Sequence, residues 1–465
     1  MASKYHIHTE PAPPRFRPIG KLGIVEWRED CSSCHNCVKR ACVYGLFRDE
    51  ADALHETHDF LDYIYQCKGC LSCVQNCTKG ILTRVVNPEY KRLGDAYFTP
   101  DIVAVTWFQS ETGKIPVSGG GYNGPFSGAG FDSMWTDMSE IVRPTRDGIH
   151  GREYISTSVN IGRKERHLAF KDGQPVPPPP LLEIPMPVIF DVIPSRWRRG
   201  PIVAAVAKAA AQTGLLTVVD ADDIPASPGR SNANMLPQLA RAAQGDAFAA
   251  APVVMLPDGE DVFEAHRALK ARSPNRIVVV RTRANPRAAD RISRFAAEGV
   301  EAICLTFDPH GREDAPANPR HVRDVLREVH RRLIKDGTRD QVTLISSGGI
   351  ALAEHVTKAL LCGADLVAID VPLLLAMECR LCKECGPGRP CPIALENIDL
   401  DYAARRVVNL VGAWHQQLIE MMGAMGMREA RRLRGEVGRC MFYEDLERDT
   451  FGRLFGQRKA DRPAL

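Results

Sequence analysis

Residues 342–370 read VTLISSGGIALAEHVTKALLCGADLVAID, and this stretch decides the fold class. VTLISS and LVAID are short apolar runs rich in β-branched residues, and they flank a helix-length segment that opens on Gly348 and Gly349 and closes on Gly363 and Ala364. A strand covered by helices on both faces is apolar throughout, so the unit reads as strand, crossover helix and parallel strand.

The same grammar recurs upstream in VIFDVI (188–193), LLTVVD (215–220), VVML (253–256), IVVVRT (277–282) and AICLTF (302–307). These make seven strands, and a weaker candidate from Asp246 to Ala250 supplies the eighth needed to close a (β/α)8 barrel. The expected organisation is α/β: residues 1–95 as a two-cluster ferredoxin-like domain, 96–182 as a Gly- and Pro-rich wrapping connector, 183–400 as the barrel, and 401–465 as C-terminal helices. In the connector, VSGGGYNGPFSGAGF and PVPPPP argue for irregular and extended chain. In the C-terminal segment, Val407, Leu410, Val411, Trp414 and Leu418 fall at helical spacing and predict an amphipathic cap.

With 465 residues the chain is long enough to bury a sizeable core. Lys and Arg number 60 against 57 Asp and Glu, and this near balance argues against nucleic acid or an anionic membrane as partner. The longest apolar runs fall short of a membrane span, so a cytoplasmic protein is expected. In a reducing compartment, 15 cysteines are better read as metal ligands than as disulfides.

Twelve of those cysteines form three groups. CSSCHNCVKRAC places Cys31, Cys34, Cys37 and Cys42, and CKGCLSCVQNC places Cys67, Cys70, Cys73 and Cys77. Two-residue gaps let three thiolates converge on one cubane, while the trailing cysteine ligates the other cluster. The spacing therefore assigns Cys31, Cys34, Cys37 and Cys77 to one 4Fe-4S cluster and Cys67, Cys70, Cys73 and Cys42 to a second. Structural zinc is the alternative, but it takes its cysteines in pairs and has no use for a third two residues on.

Neither trailing cysteine precedes a proline, and Cys42 trails by four residues where three is usual. The third group, Cys379, Cys382, Cys385 and Cys391 before Pro392, follows the last strand and predicts another 4Fe-4S cluster at the end of the barrel where active sites sit. Cys304, Cys362 and Cys440 stand apart and read as small buried hydrophobes.

The order of these parts, with DMSEIVRPTRDGIHGREYISTSVNIG (137–162), LISSGGIALAEHVTKALLCGADLVAIDVPLLLAMEC (344–379), the Cys-Pro at 391 and RRLRGEVGRCMFYEDLER (431–448), resembles the archaeal-type glutamate synthase large subunit. The resemblance covers most of the chain. It implies an FMN-binding barrel, with the FMN phosphate on the backbone of Gly348 and Gly349 and with Arg281 where the family places a lysine near the flavin ring. No N-terminal glutamine amidotransferase domain is read in these residues, so glutamine hydrolysis is not expected of them.

Departures from the family cluster at its loops. Asp370, Val371 and Pro372 replace a Gly-Thr-Ala stretch, which sets a carboxylate beside the expected phosphate and removes a donor. The long loop after the fourth strand is missing, and DVIPSRWRRG, DADDIPA and DPHGRED replace glycine-rich turns. Asp220, Asp222, Asp223, Asp308 and His310 fall at the carboxyl ends of strands, where they form either a new site or a solvated rim.

Two functions follow. One is an iron-sulfur electron-transfer subunit or oxidoreductase relaying electrons through three 4Fe-4S clusters within a larger complex. The other is an FMN-dependent glutamate synthase using 2-oxoglutarate with free ammonia or an amino group delivered by a partner. The expected partners are redox subunits, ferredoxin or an NAD(P)H-oxidising flavoprotein, in an oligomer.

Overall fold

The computed structural model describes residues 5–16, 19, 21–23, 34, 40–41, 43, 72–80, 85–115, 128, 130–136, 155–165, 167, 170–194, 200–223, 233–382, 385 and 389–456. Eight parallel strands close a barrel: β1 (Val188–Phe190), β2 (Thr217–Asp220), β3 (Met235–Gln238), β4 (Val253–Pro257), β5 (Ile277–Arg283), β6 (Ala302–Thr306), β7 (Thr343–Ser347) and β8 (Leu366–Ile369). The ring shuts through Ala368 beside Ile189 and Phe190 beside Thr217.

Seven strands stand where the apolar runs predict them, but the eighth does not. Residues 242–248 form a 3-10 helix, and the missing strand is Met235–Gln238. Pro237 hides it, because a proline cannot donate to a ladder and is unexpected inside a barrel strand. β3 pairs along its length with β2, whereas its register with β4 is a single pair, Gln238 with Met255.

The described helices are α1 (Pro100–Thr112), α2 (Pro201–Thr213), α3 (Val262–Arg272), α4 (Ala288–Ala297), α5 (Val322–Lys335), α6 (Ala353–Leu361), α7 (Val371–Ala376) and α8 (Leu400–Ala424), besides shorter turns. α1 lies inside the predicted connector. Its start follows from Thr99, whose hydroxyl accepts the Ile102 N–H, and from Pro100 in the first turn. Its apolar residues occur on every side, so it lacks the amphipathic period that betrays a surface helix.

α8 packs against α2 on one side and α6 on the other, as the final helix of the barrel ring. Val407, Leu410, Val411, Trp414 and Leu418 are all buried there. Arg406 ties the region together: its guanidinium donates to the carbonyls of Ala376 (2.6 Å), Ala12 (2.9 Å) and Trp107 (3.2 Å), linking α8 to α7, the N-terminal segment and α1. Outside the ring, Val159–Gly162 pairs with Leu181–Ile184 and lies across the amino end of the barrel, where the Thr343 hydroxyl donates to the Gly162 carbonyl at 2.8 Å. The opposite, carboxyl mouth faces the cysteine loop.

Candidate functional site

The polar layer inside the carboxyl mouth is built by residues that end barrel strands. Asp191 follows β1, and Arg281 on β5 meets it across the interior in a bidentate pair, with Nη1 to Oδ1 at 2.6 Å and Nη2 to Oδ2 at 3.0 Å. The Ser347 hydroxyl, at the end of β7, donates to the same carboxylate and lies 3.4 Å from Arg281 Nη2. The Val192 N–H adds a further bond to Oδ1 at 2.7 Å. Burial works to lower the pKa of Arg281, but the charge of Asp191 outweighs it and holds the guanidinium more firmly protonated than usual.

Asp370, after β8, is enclosed beside this pair. Burial, and next the charge of Asp191, push its pKa up to about 6, although the Val371 N–H opposes the rise. Below this layer Cys304 is a thiol raised to about 12 by burial, which fits the small hydrophobe expected from its isolation.

Gly348 and Gly349 form a tight turn above β7, and the close approach they permit is to protein. A Cβ on Gly348 (φ +95°) would lie 2.6 Å from the Asp308 carbonyl oxygen, and one on Gly349 (φ +74°) 2.4 Å from the Gly311 Cα. The loop after β6 therefore sits directly on this turn, and both positions demand glycine. Asp308 shapes that loop by accepting the N–H groups of His310 (2.9 Å) and Arg312 (2.7 Å).

A linker between the cysteine-rich segment and α1 staples these loops together. Tyr97 donates its hydroxyl to the Gly349 carbonyl at 2.6 Å, with His321 Nε2 3.3 Å away. His321 Nδ1 accepts the Arg323 N–H, which places the proton of this neutral ring on Nε2, facing the tyrosine oxygen. Burial, assisted by the charges of Arg323 and Arg312, lowers the pKa of His321 well below the usual histidine value. His310 bonds Asp95 at 2.9 Å and stacks on Tyr97. Burial works against ionised Asp95, but His310 and the N–H groups of Phe98 and Tyr97 hold its carboxyl below the usual range.

The third cysteine loop is the next neighbour of this linker. The Gly94 N–H donates to the Arg380 carbonyl at 3.0 Å, between Cys379 and Cys382. Arg15 grips both ends of the loop, with Nε to Glu378 at 2.7 Å and Nη2 to the Ile393 carbonyl at 3.1 Å. Three non-glycine residues here, Glu378, Leu381 and Ala394, have left-handed backbone, a conformation that persists only where surrounding contacts impose it. Cys379 is buried, Cys382 and Cys391 are half-buried, and Cys385 is exposed.

Burial raises the Cys379 thiol to about 12, the Leu381 N–H directed at its sulfur opposes that, and the charges of Cys385, Cys382 and Cys391 add to the rise. The four thiols are thus electrostatic neighbours. Among the described residues, no three His, Cys, Asp or Glu side chains are drawn together closely enough to share a metal ion.

Of the N-terminal cysteines, Cys31, Cys37, Cys42, Cys67 and Cys70 lie outside the described residues. Cys73 sits in the short helix Ser72–Gln75 and Cys77 just beyond it. Cys34 Sγ lies 3.8 Å from Thr78 Oγ1, so the first motif meets the residue after Cys77.

The acids after β2 stand at the rim. Asp222 accepts from Gln244 at 2.8 Å, and Asp220 accepts the Asp222 N–H at 3.2 Å. Sequence reasoning singled out Arg281 but missed its partners Asp191 and Ser347, and it missed Tyr97 and His321. The available signal for Asp191 was a charged residue directly after an apolar strand.

Comparison with known proteins finds sequence similarity over most of the chain. Residues 321–428 match the conserved region in glutamate synthase. The chain is 25% identical over 505 residues to the archaeal glutamate synthase (NADPH) of Archaeoglobus fulgidus, covering 92% of this chain and 96% of that protein. It is likewise 25% identical to the archaeal-type glutamate synthase (NADPH) of Dehalococcoides mccartyi, over 89% of this chain and 93% of the relative. Among solved structures, mandelate oxidase aligns at a TM-score of 0.38 and 15% identity over 64% of this chain and 97% of its own. The chain is thus similar in sequence, over most of its length, to archaeal-type glutamate synthases.

Proposed function

We propose that this chain is an iron-sulfur electron-transfer subunit of glutamate synthase type, in which the barrel is a rigid body that docks three 4Fe-4S clusters for exchange with redox partner subunits. The observation that carries this reading is the bond from Gly94 to Arg380, which sets the segment leaving the two N-terminal motifs against the third cysteine loop. The approach of Cys34 to Thr78 supports the crossed ligand assignment, in which Cys77 serves the cluster of Cys31, Cys34 and Cys37.

The donor chemistry of the third loop fits a cluster: four cysteines, a left-handed backbone and an N–H aimed at sulfur. Bound there, a cluster would supply one-electron exchange. Cys379, Cys382, Cys385 and Cys391 would hold it, and the Leu381 N–H would stabilise added negative charge on the sulfur. Arg15 and Gly94 would keep the loop in place.

The residues expected to hold FMN do not fit it. The β6 loop backbone packs against Gly348 and Gly349, Arg281 is committed to Asp191 and Ser347, and Asp370 adds a half-buried carboxylate. A second reading, an FMN-dependent glutamate synthase acting on 2-oxoglutarate, rests on the nearly full-length similarity to relatives named for that activity.

Anaerobic purification followed by iron, sulfide and flavin analysis separates the two. The relay reading expects about twelve irons per chain and no flavin, whereas about eight irons would remove the third cluster. One FMN per chain would favour the synthase.

A further inference from the structure

Beside the barrel mouth, the short turn after β4 and the start of α4 form an open groove of about 520 Å³, lined by Asp258, Gly259, Glu260, Phe263, Arg291 and Arg294. This lies within the roughly 300–1,000 Å³ of clefts that hold small molecules. Its frame is bonded to the barrel. The Asp258 N–H donates to the Arg281 carbonyl at 2.8 Å, and the Asp258 carboxylate accepts the Thr282 hydroxyl at 2.7 Å, so the turn is fixed to β5.

The charges of the lining sort into a matched pair and a remainder. Arg291 donates to Asp258 at 2.6 Å and to the Gly259 carbonyl at 3.2 Å, and its guanidinium covers the Phe263 and Phe295 rings. Asp258 and Arg291 therefore satisfy one another. Among the described residues, Arg294, which lies over the Phe263 ring at 4.8 Å from its centre, meets no carboxylate, and Glu260 meets no cation. A Cβ on Gly259 would find no atom within 4 Å, so the groove is open above this residue.

This remainder selects the ligand. A simple anion drawn to Arg294 would bring its charge against Glu260, and a simple cation drawn to Glu260 would face two guanidinium groups. A molecule with a carboxylate and an ammonium on neighbouring atoms answers both, and Phe263 offers its body an apolar wall. We infer that the groove binds a free α-amino acid with an apolar side chain, its carboxylate on Arg294 and its ammonium toward Glu260. The site lies outside the mouth and is tied to it only through the backbone of Arg281, so its ligand is bound and not transformed. The inference does not depend on which cofactors the barrel carries.

Equilibrium dialysis of radiolabelled L-phenylalanine against the full-length, cluster-loaded protein tests it. Saturable binding at one site per chain is expected, with a dissociation constant on the order of 1 mM because both charged contacts are open to solvent. Unlabelled 3-phenylpropionate, which lacks the ammonium, and phenethylamine, which lacks the carboxylate, should each compete about tenfold less well than phenylalanine.

Arg294→Ala should weaken binding by about tenfold. Gly259→Phe should abolish it, since Gly259 has no left-handed φ and the new ring would occupy the free space above it. Glu260→Gln should weaken phenylalanine while leaving 3-phenylpropionate no weaker than before. Iron content and far-UV circular dichroism equal to those of the unmodified chain show that each variant has folded. Absence of saturable binding up to about 20 mM overturns the inference, as does binding indifferent to Gly259→Phe and Arg294→Ala. Competition by 3-phenylpropionate equal to that of phenylalanine overturns the zwitterion and the role of Glu260.

Discussion

Asp370→Asn probes the charge balance inside the barrel mouth directly. The folded protein holds the Asp370 proton up to a pKa of about 6, against 3.8 for an ordinary aspartate. Because the folded state binds this proton more tightly than the unfolded chain, Asp370 contributes no penalty below about pH 4. Stability then falls as pH rises through the window between the two values and is level above about pH 6. Two units at about 1.4 kcal/mol each make the ionised form cost on the order of 3 kcal/mol at pH 8, and the same relation gives about 1.5 kcal/mol at pH 5.

Asparagine keeps an acceptor for the Val371 N–H and removes the titration. Its amide donors need partners in a closed site, which offsets about 1 kcal/mol of the gain at either pH. Anaerobic urea unfolding followed by far-UV circular dichroism should therefore find the variant more stable by about 2 kcal/mol at pH 8 and by only about 0.5 kcal/mol at pH 5. The change in that gap is the signature. A variant no more stable than the unmodified chain at pH 8, or a gap constant across the range, would refute the argument that Asp370 is ionised there at a cost.

Three further changes bear on the same region. Arg281→Met leaves the enclosed Asp191 carboxylate without its cation and should destabilise by about 3–5 kcal/mol in urea unfolding, with Arg281→Lys losing less. Gly349→Ala forces a Cβ toward the Gly311 Cα in a left-handed backbone; cleavage within residues 308–314 by a limiting protease should accelerate, and an unchanged rate would mean that the two loops do not bear on one another. Cys382→Ser should lower iron by about four atoms per chain while the EPR signals of the N-terminal pair persist, and unchanged iron would remove Cys382 from the ligand set.

The parts of this fold that were legible in the sequence are those whose signal is local. A strand buried on both faces writes itself as an apolar run. Met235–Gln238 escaped because Pro237 breaks the run and because its neighbours in the barrel, not its own composition, make it a strand. α1 escaped because it is buried on all sides. Asp191 and Arg281 are 90 residues apart and meet only once the barrel closes, so their pairing has no local signature. Arg281 was noticed as a positive charge at the end of a strand; that the charge was already matched could not be read without its partner. Gly348 and Gly349 carry the reverse lesson, since two glycines after a strand announce a close approach but not what approaches.

The matched charge explains why similar sequences need not share chemistry at the barrel mouth. A guanidinium available to an anionic ligand must have that anion as its best partner, and here Asp191 supplies a bidentate carboxylate with Ser347 and the Val192 N–H holding it in place. A ligand competing for Arg281 would have to displace this network and leave Asp191 enclosed without a counter-charge, a loss larger than most single contacts return. Removing the aspartate is thus the sharper test of the proposal that the mouth takes no flavin. Asp191→Ala should free Arg281 and raise FMN affinity, measured by quenching of flavin fluorescence, if the ion pair is the barrier. If affinity stays undetectable while the variant retains its fold and its iron, the obstacle lies instead in the loops stapled over Gly348 and Gly349 by Tyr97 and the β6 turn.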